Sequence, residues 1–417
     1  MSEEPIYATF NVMRILTNEY LSNALPDTGI AHGGPAHFAR AFSSYLIGSS
    51  DNVWIGLTQD RRRARKKRFI RQISCDSQKR YYGFSPSGDR TDVFIKEQAG
   101  KVDPGQWFAE ELDQLRRFIR KTRPDVLFLN GFSLYAWLLL RAAKDEDLPI
   151  VIQHAGIAKK EFDQYKHLYT PAFRKAMLGM EKDIARYADK QIFLNEYSYS
   201  VFHAIVARVP ETKKVIIPLP YPALFAQAFP TAQRKKVSKT VRIGCVARWD
   251  RIKNHEALLA LAKVLRDKHP EWEIVCVTRI PDSVKYAEFK QAYRSHIRVV
   301  DPMPSKKLRA FYRSVDILVL PSHFDVSPGV VMEAALCGIG TLISPFVGWV
   351  SSYATAGLDD WVVDFSHPHE VMNRLEALVK KPAPAAFRKR LAQDHRPDRV
   401  FARYEEVFAS AILGHYS

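Results

Sequence analysis

The sequence has few cysteines and no pattern that would gather them into a site. Its four cysteines, at positions 75, 245, 276 and 337, lie far apart in the chain and include no CxxC pair. No spacing of histidine and cysteine is typical of a zinc site. Sparse cysteine fits a reducing compartment. The chain also lacks any Asn-x-Ser/Thr acceptor, which agrees with a protein that does not enter the secretory pathway.

A long hydrophobic run is missing as well. The longest apolar stretch, residues 126–140, is interrupted by Asn130 and is shorter than the about 20 residues that a membrane-spanning helix needs. The N-terminus starts with acidic residues and has no basic region before an apolar one, so we predict no signal peptide. We therefore expect a cytoplasmic protein, either soluble or peripheral at the cytoplasmic face of a membrane.

Acidic residues are in deficit. The 417 residues include 62 lysines and arginines but 45 aspartates and glutamates, which gives a net charge of +17. A surplus of this size favours a polyanionic partner: an anionic membrane face, a phosphorylated substrate or nucleic acid. Hydrophobic residues make up 47% and charged residues 26%, close to the average soluble globular protein. This composition excludes a disordered, collagen-like or coiled-coil chain.

The basic surplus is densest between residues 61 and 68. The positive residues of this basic run are Arg61, Arg62, Arg63, Arg65, Lys66, Lys67 and Arg68. At about 1 kcal/mol per basic residue near an anionic leaflet, the run suffices to hold a soluble protein on a membrane. A phosphorylated acceptor or a solvated loop are alternatives. Nucleic acid is disfavoured, because the run has no interleaved aromatic residues and the chain has no recognised nucleic-acid module.

Short apolar runs alternate with amphipathic segments of helix length along the chain. Apolar runs without internal alternation are typical of strands buried on both faces, as in parallel sheets. The rhythm therefore predicts an α/β fold. We expect strands at 13–17, 53–57, 125–129, 149–153, 191–194, 241–246, 272–277, 316–320 and 341–344, and helices at 35–46, 107–120, 172–188, 254–268, 305–313, 329–337 and 399–413.

The rhythm breaks in a proline-rich segment and then restarts, which predicts two α/β domains. The first Rossmann-like domain is expected at residues 1–220 and the linker at 221–240. A second Rossmann-like domain is expected at 241–398, followed by a last helix in 399–417.

Two motifs follow predicted strands and offer groups that bind anions. Gly33 and Gly34, in the sequence HGGP, precede a helix, where the backbone can approach a ligand and amides point at an anion. A plain turn that caps the helix is the alternative. Arg248 and Lys253 lie five positions apart after the first strand of the second domain, where α/β sheets bind ligands. Arginine offers phosphate a bidentate fork and lysine a point charge; a solvated basic loop is the alternative.

A third motif carries two carboxylates. Asp325 follows the predicted strand 316–320, and Glu333 comes eight positions later, one turn into the next helix. A carboxylate there can accept two hydroxyls, as from a ribose. The helix start at Pro328, Gly329 and Val330 offers free amides to a phosphate. The alternative for Glu333 is a residue that only favours the helix dipole.

His154 ends a predicted strand of the first domain before Ala-Gly. At this position a ligand-binding histidine and a structural one are equally open alternatives. The acidic residues at 145–147 imitate a metal-binding DxD motif. They precede a strand instead of following one, so we predict no metal there.

The second half of the chain resembles the GT-B glycosyltransferases, in particular the large retaining class called family four. Three blocks carry the resemblance, in that family's order and spacing: ARW and IKN within 247–254, VDILVLPS at 315–322, and DVSP and MEAALCG within 325–338. They cover about residues 241–348. The first half is similar through the Gly33-Gly34 loop and His154. The resemblance implies the GT-B fold, with two Rossmann-like parallel-sheet domains facing across a cleft.

The resemblance also implies roles. Arg248 and Lys253 are similar to the pair that binds the donor diphosphate, and Glu333 to the residue that holds the donor ribose. Asp325 stands where the family has a glutamate that contacts hydroxyls of the transferred sugar. His154 is similar to a histidine near the donor sugar and acceptor.

Further roles follow for the glycines and the last helix. Gly33 and Gly34 are similar to the loop that closes over the diphosphate. Pro328, Gly329 and Val330 complete the expected donor site. The family needs no metal, so no metal or cofactor is expected beyond the donor substrate. Its last helix crosses back onto the first domain, a role that 399–413 would take.

The chain departs from the family pattern at three places. Asp325 is one methylene shorter than the usual glutamate, Val326 replaces a usual glycine, and Thr278 and Arg279 replace a Gly-x-Gly. These changes point to an unusual donor or to a degenerate enzyme.

The resemblance predicts a retaining glycosyltransferase. It would move a sugar from a nucleotide-diphospho-sugar to a glycan or lipid-linked acceptor, in cell-surface polysaccharide or glycolipid assembly. Arg248, Lys253, Asp325 and His154 are the predicted catalytic residues. One alternative is a GT-B relative such as a phosphorylase, a sucrose-synthase-like enzyme or a sugar-nucleotide epimerase. Another is a non-catalytic GT-B scaffold that binds polyanions or partner proteins.

Overall fold

The computed structural model describes residues 12–20, 23, 34–49, 51–59, 70–84, 88–226, 240–282 and 287–417. Within it the chain forms two compact units. The first contains residues up to Pro218 together with Asp398–Ser417, and the second contains Leu219–Pro397. Residues 221–226 of the predicted linker thus belong to the second unit, where Phe225 is fully buried.

Each unit is built around one sheet. The strands of the first unit are β1 (Arg14–Glu19), β2 (Val53–Gln59), β3 (Ile70–Cys75), β4 (Lys79–Phe84), β5 (Val126–Asn130), β6 (Ile150–His154), β7 (Lys190–Phe193) and β8 (Lys214–Ile216). Those of the second unit are β9 (Arg242–Val246), β10 (Glu273–Val277), β11 (Arg298–Val300), β12 (Ile317–Leu320) and β13 (Thr341–Ile343).

Helices connect these strands. The first unit has α1 (Gly34–Ser49), α2 (Gly88–Val93), α3 (Pro104–Trp107), α4 (Ala109–Thr122), α5 (Leu134–Asp145), α6 (Ala158–Gln164), α7 (Pro171–Tyr187) and α8 (Glu196–Ile205), with a π-helical turn at Phe94–Gln98. The second unit has α9 (Ala223–Ala226), α10 (His255–Lys268), α11 (Ala287–His296), α12 (Ser305–Ser314), α13 (Gly329–Leu336), α14 (Val350–Thr355), α15 (Pro368–Leu378) and α16 (Ala385–Asp394). The last helix is α17 (Pro397–Tyr416).

The first sheet has the strand order β3-β4-β2-β1-β5-β6-β7-β8. Its neighbours pair in parallel, except for β3, which pairs antiparallel with β4. The first sheet is therefore a parallel sheet, as predicted, with one antiparallel strand added at its edge. The β3–β4 hairpin was not predicted, because its strands are polar and only partly buried. By contrast β5 and β6 are buried at every position, which explains their continuous apolar sequence.

The second sheet is parallel throughout, with the order β11-β10-β9-β12-β13. Starting at β9 the chain adds strands on one side, β10 and β11, and then returns to add β12 and β13 on the other. The strand order thus reverses between β9 and β12. In open α/β sheets the loops at the carboxyl ends diverge at such a reversal and leave a crevice for a ligand.

The last helix, α17, packs into the first unit. The Phe401 ring stacks on Phe42 of α1 with 5.1 Å between ring centroids, and Phe408 lies 5.3 Å from Phe128 of β5. Aromatic pairs at these distances stabilise beyond the apolar area that they bury. Among the described helices, none combines the length and the apolar composition that crossing a bilayer requires.

Candidate active site

The candidate site of the second unit lies in the loops that leave β9 and β12, the two strands at the reversal. The first loop carries Arg248 and Lys253, and the second carries Asp325 and leads to α13 with Glu333. The sequence placed these residues after strands. The strand order shows that the two strands are adjacent, with Ile317 paired to Ile243.

Two side-chain caps fix the conformation of the first loop. Asp250 caps a 3-10 turn at Arg251–Lys253, where its carboxylate accepts the Ile252 amide at 3.1 Å. Asn254 follows with a left-handed backbone, φ 55° and ψ 51°, and its side chain caps the start of α10. Asparagine is one of the few residues that adopt this conformation readily. The two caps fix the backbone on both sides of Lys253.

Hydrogen bonds tie the two loops together. The Asn254 side-chain amide donates to the Pro321 carbonyl at 3.1 Å, and the His323 amide donates to the Ile252 carbonyl at 2.8 Å. These bonds join the turn after β9 to the chain that leaves β12. The two loops are therefore held together by one backbone and one side-chain hydrogen bond.

An ion pair lies between these loops. The Lys253 ammonium donates to the Asp325 carboxylate, and the two side chains are 17% and 15% exposed. The backbone of Asp325 is held on both sides, since its amide donates to the Phe346 carbonyl at 3.1 Å and its carbonyl accepts the Gly348 amide at 2.8 Å. A charge-assisted bond between partly buried groups is stronger than a surface pair. Asp325 and Lys253 are thus brought together as a unit.

Arg248 lies in the same loop but outside that pair. Its side chain is 76% exposed, and its Nη2 lies 3.2 Å from the Asp250 carboxylate. Its backbone is anchored, because the buried His255 ring donates through Nε2 to the Arg248 carbonyl at 3.1 Å and stacks on Trp249 with 4.5 Å between centroids. Exposed ion pairs contribute little free energy. The guanidinium can therefore exchange Asp250 for an anionic ligand at small cost.

Glu333 lies on the first turns of α13, the helix that begins after Pro328. Its Oε2 accepts the Tyr312 hydroxyl at 2.7 Å. Burial raises the pKa of Glu333, and the hydrogen bond from Tyr312 opposes that rise. The helix start is fixed by Trp349, whose indole donates to the Pro328 carbonyl at 3.0 Å. Tyr312 and Trp349 were not predicted, because they come from elements outside the motif.

In the first unit the sheet has its own reversal, between β1 and β5. A pocket of about 370 Å³ opens there, at the carboxyl ends of the parallel strands. Its lining residues are Asn18, Glu19, Tyr20, Pro35, Thr58, Gln59, Asn130, Gly131, Phe132, Ser133, Tyr135, Ala155, Gly156, Ala158 and Glu161. Of the predicted first-unit site residues, Gly34 is described as the first residue of α1. Gly33 and the basic run 61–68 lie outside the described residues.

A buried amide network forms the floor of this pocket. Asn18 Oδ1 accepts the Asn130 amide at 2.7 Å, and the Asn130 side chain donates to the Pro35 carbonyl at 2.9 Å. Gln153 donates to Asn130 at 3.2 Å, and its carbonyl oxygen accepts the Tyr404 hydroxyl from α17. Because each amide is bound on both ends, the floor is rigid. Its residues are scattered through the sequence, so no motif revealed them.

Glu19 forms one wall of the pocket. Its carboxylate accepts the Trp54 indole at 2.9 Å and the Tyr20 amide at 2.8 Å. Burial raises the pKa of Glu19, and these hydrogen bonds oppose that rise. The carboxylate therefore serves to hold β1 to β2 and the chain that follows it. It was not predicted as a site residue.

His154 is the last residue of β6, as expected, but its ring is enclosed. It is 2% exposed, stacks on Phe193 with 4.5 Å between centroids and bonds Gln191 at 3.1 Å. Burial lowers its pKa to about 4. It is not among the residues that line the pocket, while Ala155 and Gly156 immediately after it are. The catalytic role expected of His154 stays a prediction.

A buried carboxylate in α7 holds the pocket's other rim. Glu181 accepts the Ala158 amide at 2.8 Å and the Lys159 amide at 3.2 Å, which satisfies the start of α6. Helix α6 carries Ala158 and Glu161, which line the pocket. Burial raises the pKa of Glu181 to about 7.

No group of three or more histidine, cysteine, aspartate or glutamate side chains is placed to hold a metal ion, as far as the described ranges go. In the DxD-like segment, Asp145 instead bonds Arg116 at 2.6 Å.

Comparison with known proteins identifies the unit that carries the Lys253–Asp325 pair. Residues 229–396 match the family described as Glycosyl transferases group 1. This match covers most of the second unit. A curated relative, D-inositol 3-phosphate glycosyltransferase of Corynebacterium glutamicum, is 29% identical over 145 residues, which are 33% of this chain and 34% of the relative. The chain thus spans about a third of the length of the curated relatives it matches.

Solved structures extend the likeness to both units. A sucrose-phosphate synthase from Thermosynechococcus elongatus superposes with a TM-score of 0.69 at 15% identity, over 96% of this chain and 100% of that one. An E. coli structure titled as trehalose-6-phosphate bound with UDP-2-fluoro glucose gives 0.64 at 12% identity, over 96% and 98%. At such identity the likeness shows the fold alone. It confirms the predicted GT-B fold with two α/β sheet domains.

The buried carboxylate at the rim of the first-unit pocket predicts a pH-dependent stability. The pKa of Glu181 is raised from 4.5 to about 7, so the folded chain keeps this proton to higher pH than the unfolded chain. The stabilisation is present below the unfolded pKa and is lost as pH rises through about 7, at about 1.4 kcal/mol per pH unit. Glu181→Gln cannot ionise. Its free energy of unfolding, relative to the native protein, should therefore rise between about pH 5 and about pH 8.

Urea unfolding at the two pH values measures this difference. Glu97→Gln, at an exposed position of the same unit, is the control and should track the native protein. Parallel behaviour of Glu181→Gln and the native protein would show that Glu181 ionises normally.

Proposed function

We propose that this chain is a retaining glycosyltransferase that moves a sugar from a nucleotide-diphospho-sugar to a hydroxyl of an acceptor. One observation carries the proposal: Lys253 and Asp325 come from the two loops at the strand reversal, and Glu333 from the helix that follows, in a unit that matches a glycosyltransferase family. The E. coli structure of the same fold, whose title names a bound UDP-sugar analogue, supports a nucleotide-diphospho-sugar as donor.

Each group would act on a stated part of the donor. The Lys253 ammonium has three donors, so it can keep its bond to Asp325 and donate to a diphosphate oxygen. Arg248 would turn from Asp250 to the same diphosphate. Glu333, at the start of α13, would accept ribose hydroxyls. Asp325 would accept a hydroxyl of the transferred sugar through the oxygen that does not face Lys253.

The reaction breaks the bond between the sugar anomeric carbon and the diphosphate oxygen. The acceptor oxygen bonds to the same carbon on the same face, and the acceptor proton passes to the leaving diphosphate. Negative charge develops on the nucleoside diphosphate, where Arg248, Lys253 and the first amides of α13 would stabilise it as preorganised groups. The proposal includes no resident metal or cofactor: Arg248, Lys253 and the first amides of α13 are the groups that would face the diphosphate.

The first-unit pocket is the proposed acceptor site. Its amide, hydroxyl and carboxylate groups at the carboxyl ends of β1, β2, β5 and β6 suit a hydroxyl-rich ligand, since such groups fix the orientation of hydroxyls in small-molecule sites. The relative from C. glutamicum acts, by its name, on D-inositol 3-phosphate. We propose a polyol or glycan acceptor of that general kind, either free or linked to a lipid.

Membrane association is a further part of the proposal and rests on charge. The net charge of +17 and the basic run 61–68 would bind an anionic membrane face. A peripheral, cytoplasmic position would bring the protein to lipid-linked acceptors in cell-surface polysaccharide or glycolipid assembly.

Lys253→Ala is expected to weaken donor binding. Thermal unfolding with UDP, GDP, ADP, CDP and TDP should first show one nucleoside diphosphate that stabilises the native protein, by about 2.7 kcal/mol at about 100 times its dissociation constant. Loss of a hydrogen bond to a charged group costs about 1.5–3 kcal/mol, so the dissociation constant should rise about 10- to 100-fold in Lys253→Ala. Transfer should fall with it.

Lys263→Ala is the matched control, since Lys263 is exposed on α10 away from the ion pair. It should bind and transfer as the native protein does, with and without a chelator. Native binding and transfer by Lys253→Ala would remove the donor site from this loop. A non-catalytic scaffold is favoured if the native protein binds no nucleoside diphosphate and does not slowly hydrolyse a nucleotide-sugar donor in the absence of acceptor.

Glu161→Ala is expected to act on the acceptor alone. Glu161 lines the pocket from α6, and its loss should raise the KM for the acceptor about tenfold or more while slow donor hydrolysis stays unchanged. Asp163→Ala on the same helix, where the exposed Asp163 pairs with Lys159, is the control. The assay uses inositol, D-inositol 3-phosphate and a panel of monosaccharides. An unchanged KM for the acceptor that is found to react would place the acceptor elsewhere.

Flotation with lipid vesicles tests membrane association. The protein should float with vesicles that contain an anionic lipid and not with neutral ones, and added salt should release it because exposed charges are screened. Replacing the seven basic residues of 61–68 by glutamine should abolish flotation. Equal binding to neutral vesicles would contradict the proposal.

A further inference from the structure

Tyr312 places its hydroxyl against the carboxylate that would hold the donor ribose. The hydroxyl oxygen lies 2.7 Å from Glu333 Oε2, a distance at which the tyrosine donates and the carboxylate accepts. Tyr312 is near the end of α12, and Glu333 is on α13. This contact joins the helix that precedes β12 in the chain to the helix that follows it.

The ring of Tyr312 leaves its hydroxyl little freedom. The residue is fully buried in the core of the second unit, and its ring lies 6.2 Å from the buried ring of Phe225. A tyrosine hydroxyl is nearly fixed once its ring is packed. It therefore sets where Glu333 Oε2 lies.

The second oxygen of the carboxylate points toward the start of α13. Glu333 Oε1 lies 3.8 Å from the position that a Cβ of Gly329 would occupy, above the first turn of that helix. Since Tyr312 accounts for Oε2, a ligand at the helix start would meet the Oε1 side of the carboxylate.

We infer that Tyr312 is a positioning residue for donor binding, which orients Glu333 through Oε2 so that the carboxylate accepts ribose hydroxyls on its other side. The inference rests on the proposed function and adds to it a residue from outside the donor motif. Tyr312 itself touches no substrate.

The same bond acts on the ionisation of Glu333. Burial raises the pKa of Glu333, and the Tyr312 hydrogen bond lowers it. A protonated carboxyl would present a donor where two acceptors are needed. The other groups around the pair are Cys337, which interacts with both residues, Cys245 beside Tyr312, and Arg309 and Arg313, which lower the pKa of Cys337.

Tyr312→Phe tests this role, because it removes the hydroxyl and keeps the ring. Tyr353→Phe is the matched control: Tyr353 is also buried in the second unit, and its hydroxyl donates to the Thr341 carbonyl at 3.0 Å. The probe is the nucleoside diphosphate that stabilises the native protein, with its 2′-deoxy and 3′-deoxy forms, titrated calorimetrically.

Tyr312→Phe should bind the full nucleoside diphosphate about tenfold more weakly than the native protein does. It should bind the deoxy form that lacks the contacted hydroxyl with nearly native affinity. Its binding should also be lost at a higher pH on the acid side than that of the native protein, because the Glu333 pKa rises without the hydrogen bond. Tyr353→Phe should change neither the ratio of the affinities for the full and the deoxy nucleoside diphosphate nor the pH dependence of binding.

Glu333→Gln distinguishes an error in the positioning role of Tyr312 from an error in the proposed ribose site. If Glu333→Gln binds the ribose-containing probe as the native protein does, the ribose site itself is wrong. If Glu333→Gln binds weakly but Tyr312→Phe matches Tyr353→Phe, the positioning role is wrong. The double variant Tyr312→Phe/Glu333→Gln leaves no unpaired carboxylate and guards against misfolding of the single variant. It should bind as weakly as Glu333→Gln alone, and a further loss would contradict the inference.

Discussion

In the second sheet the strand order reverses between β9 and β12, and the loops that leave these strands must part. Every group that could meet a donor depends on that geometry. The 3-10 turn after β9 supplies Lys253, and the chain after β12 supplies Asp325. The His323 amide and the Asn254 side chain hydrogen-bond the two loops to each other. The Lys253–Asp325 ion pair links the same two loops.

The charged side chains of this site are paired with one another, which reduces the cost of desolvating them. The Lys253 ammonium and Asp325 carboxylate neutralise each other, and Asp250 meets both the exposed Arg248 and a backbone amide. Burial would favour a protonated Glu333, which Tyr312 opposes with one hydrogen bond. A diphosphate ligand would enter a place where positive groups are already oriented, which reduces the reorganisation that binding requires.

The first unit instead relies on hydrogen bonds between uncharged side chains. Its reversal between β1 and β5 opens a pocket whose floor is a chain of amides running from Asn18 through Asn130 to Gln153 and on to Tyr404 of α17. Such a network is rigid when every member is satisfied. It explains why these polar residues are buried at the ends of apolar strands, and it makes the last helix part of the pocket's support.

The sequence alone determined the α/β class, most strands to within one or two residues, and the places of Lys253 and Asp325 after strands and of Glu333 on the next helix. Those features are local: continuous apolar runs specify buried strands, and motif residues lie close together in the chain. The polar β3–β4 hairpin, the amide floor, Tyr312 beside Glu333 and the enclosure of His154 were decided by tertiary structure. Each depends on which strands become neighbours and on which side chains meet across them. That is a matter of sheet order and packing between residues far apart in sequence, and no local pattern records it.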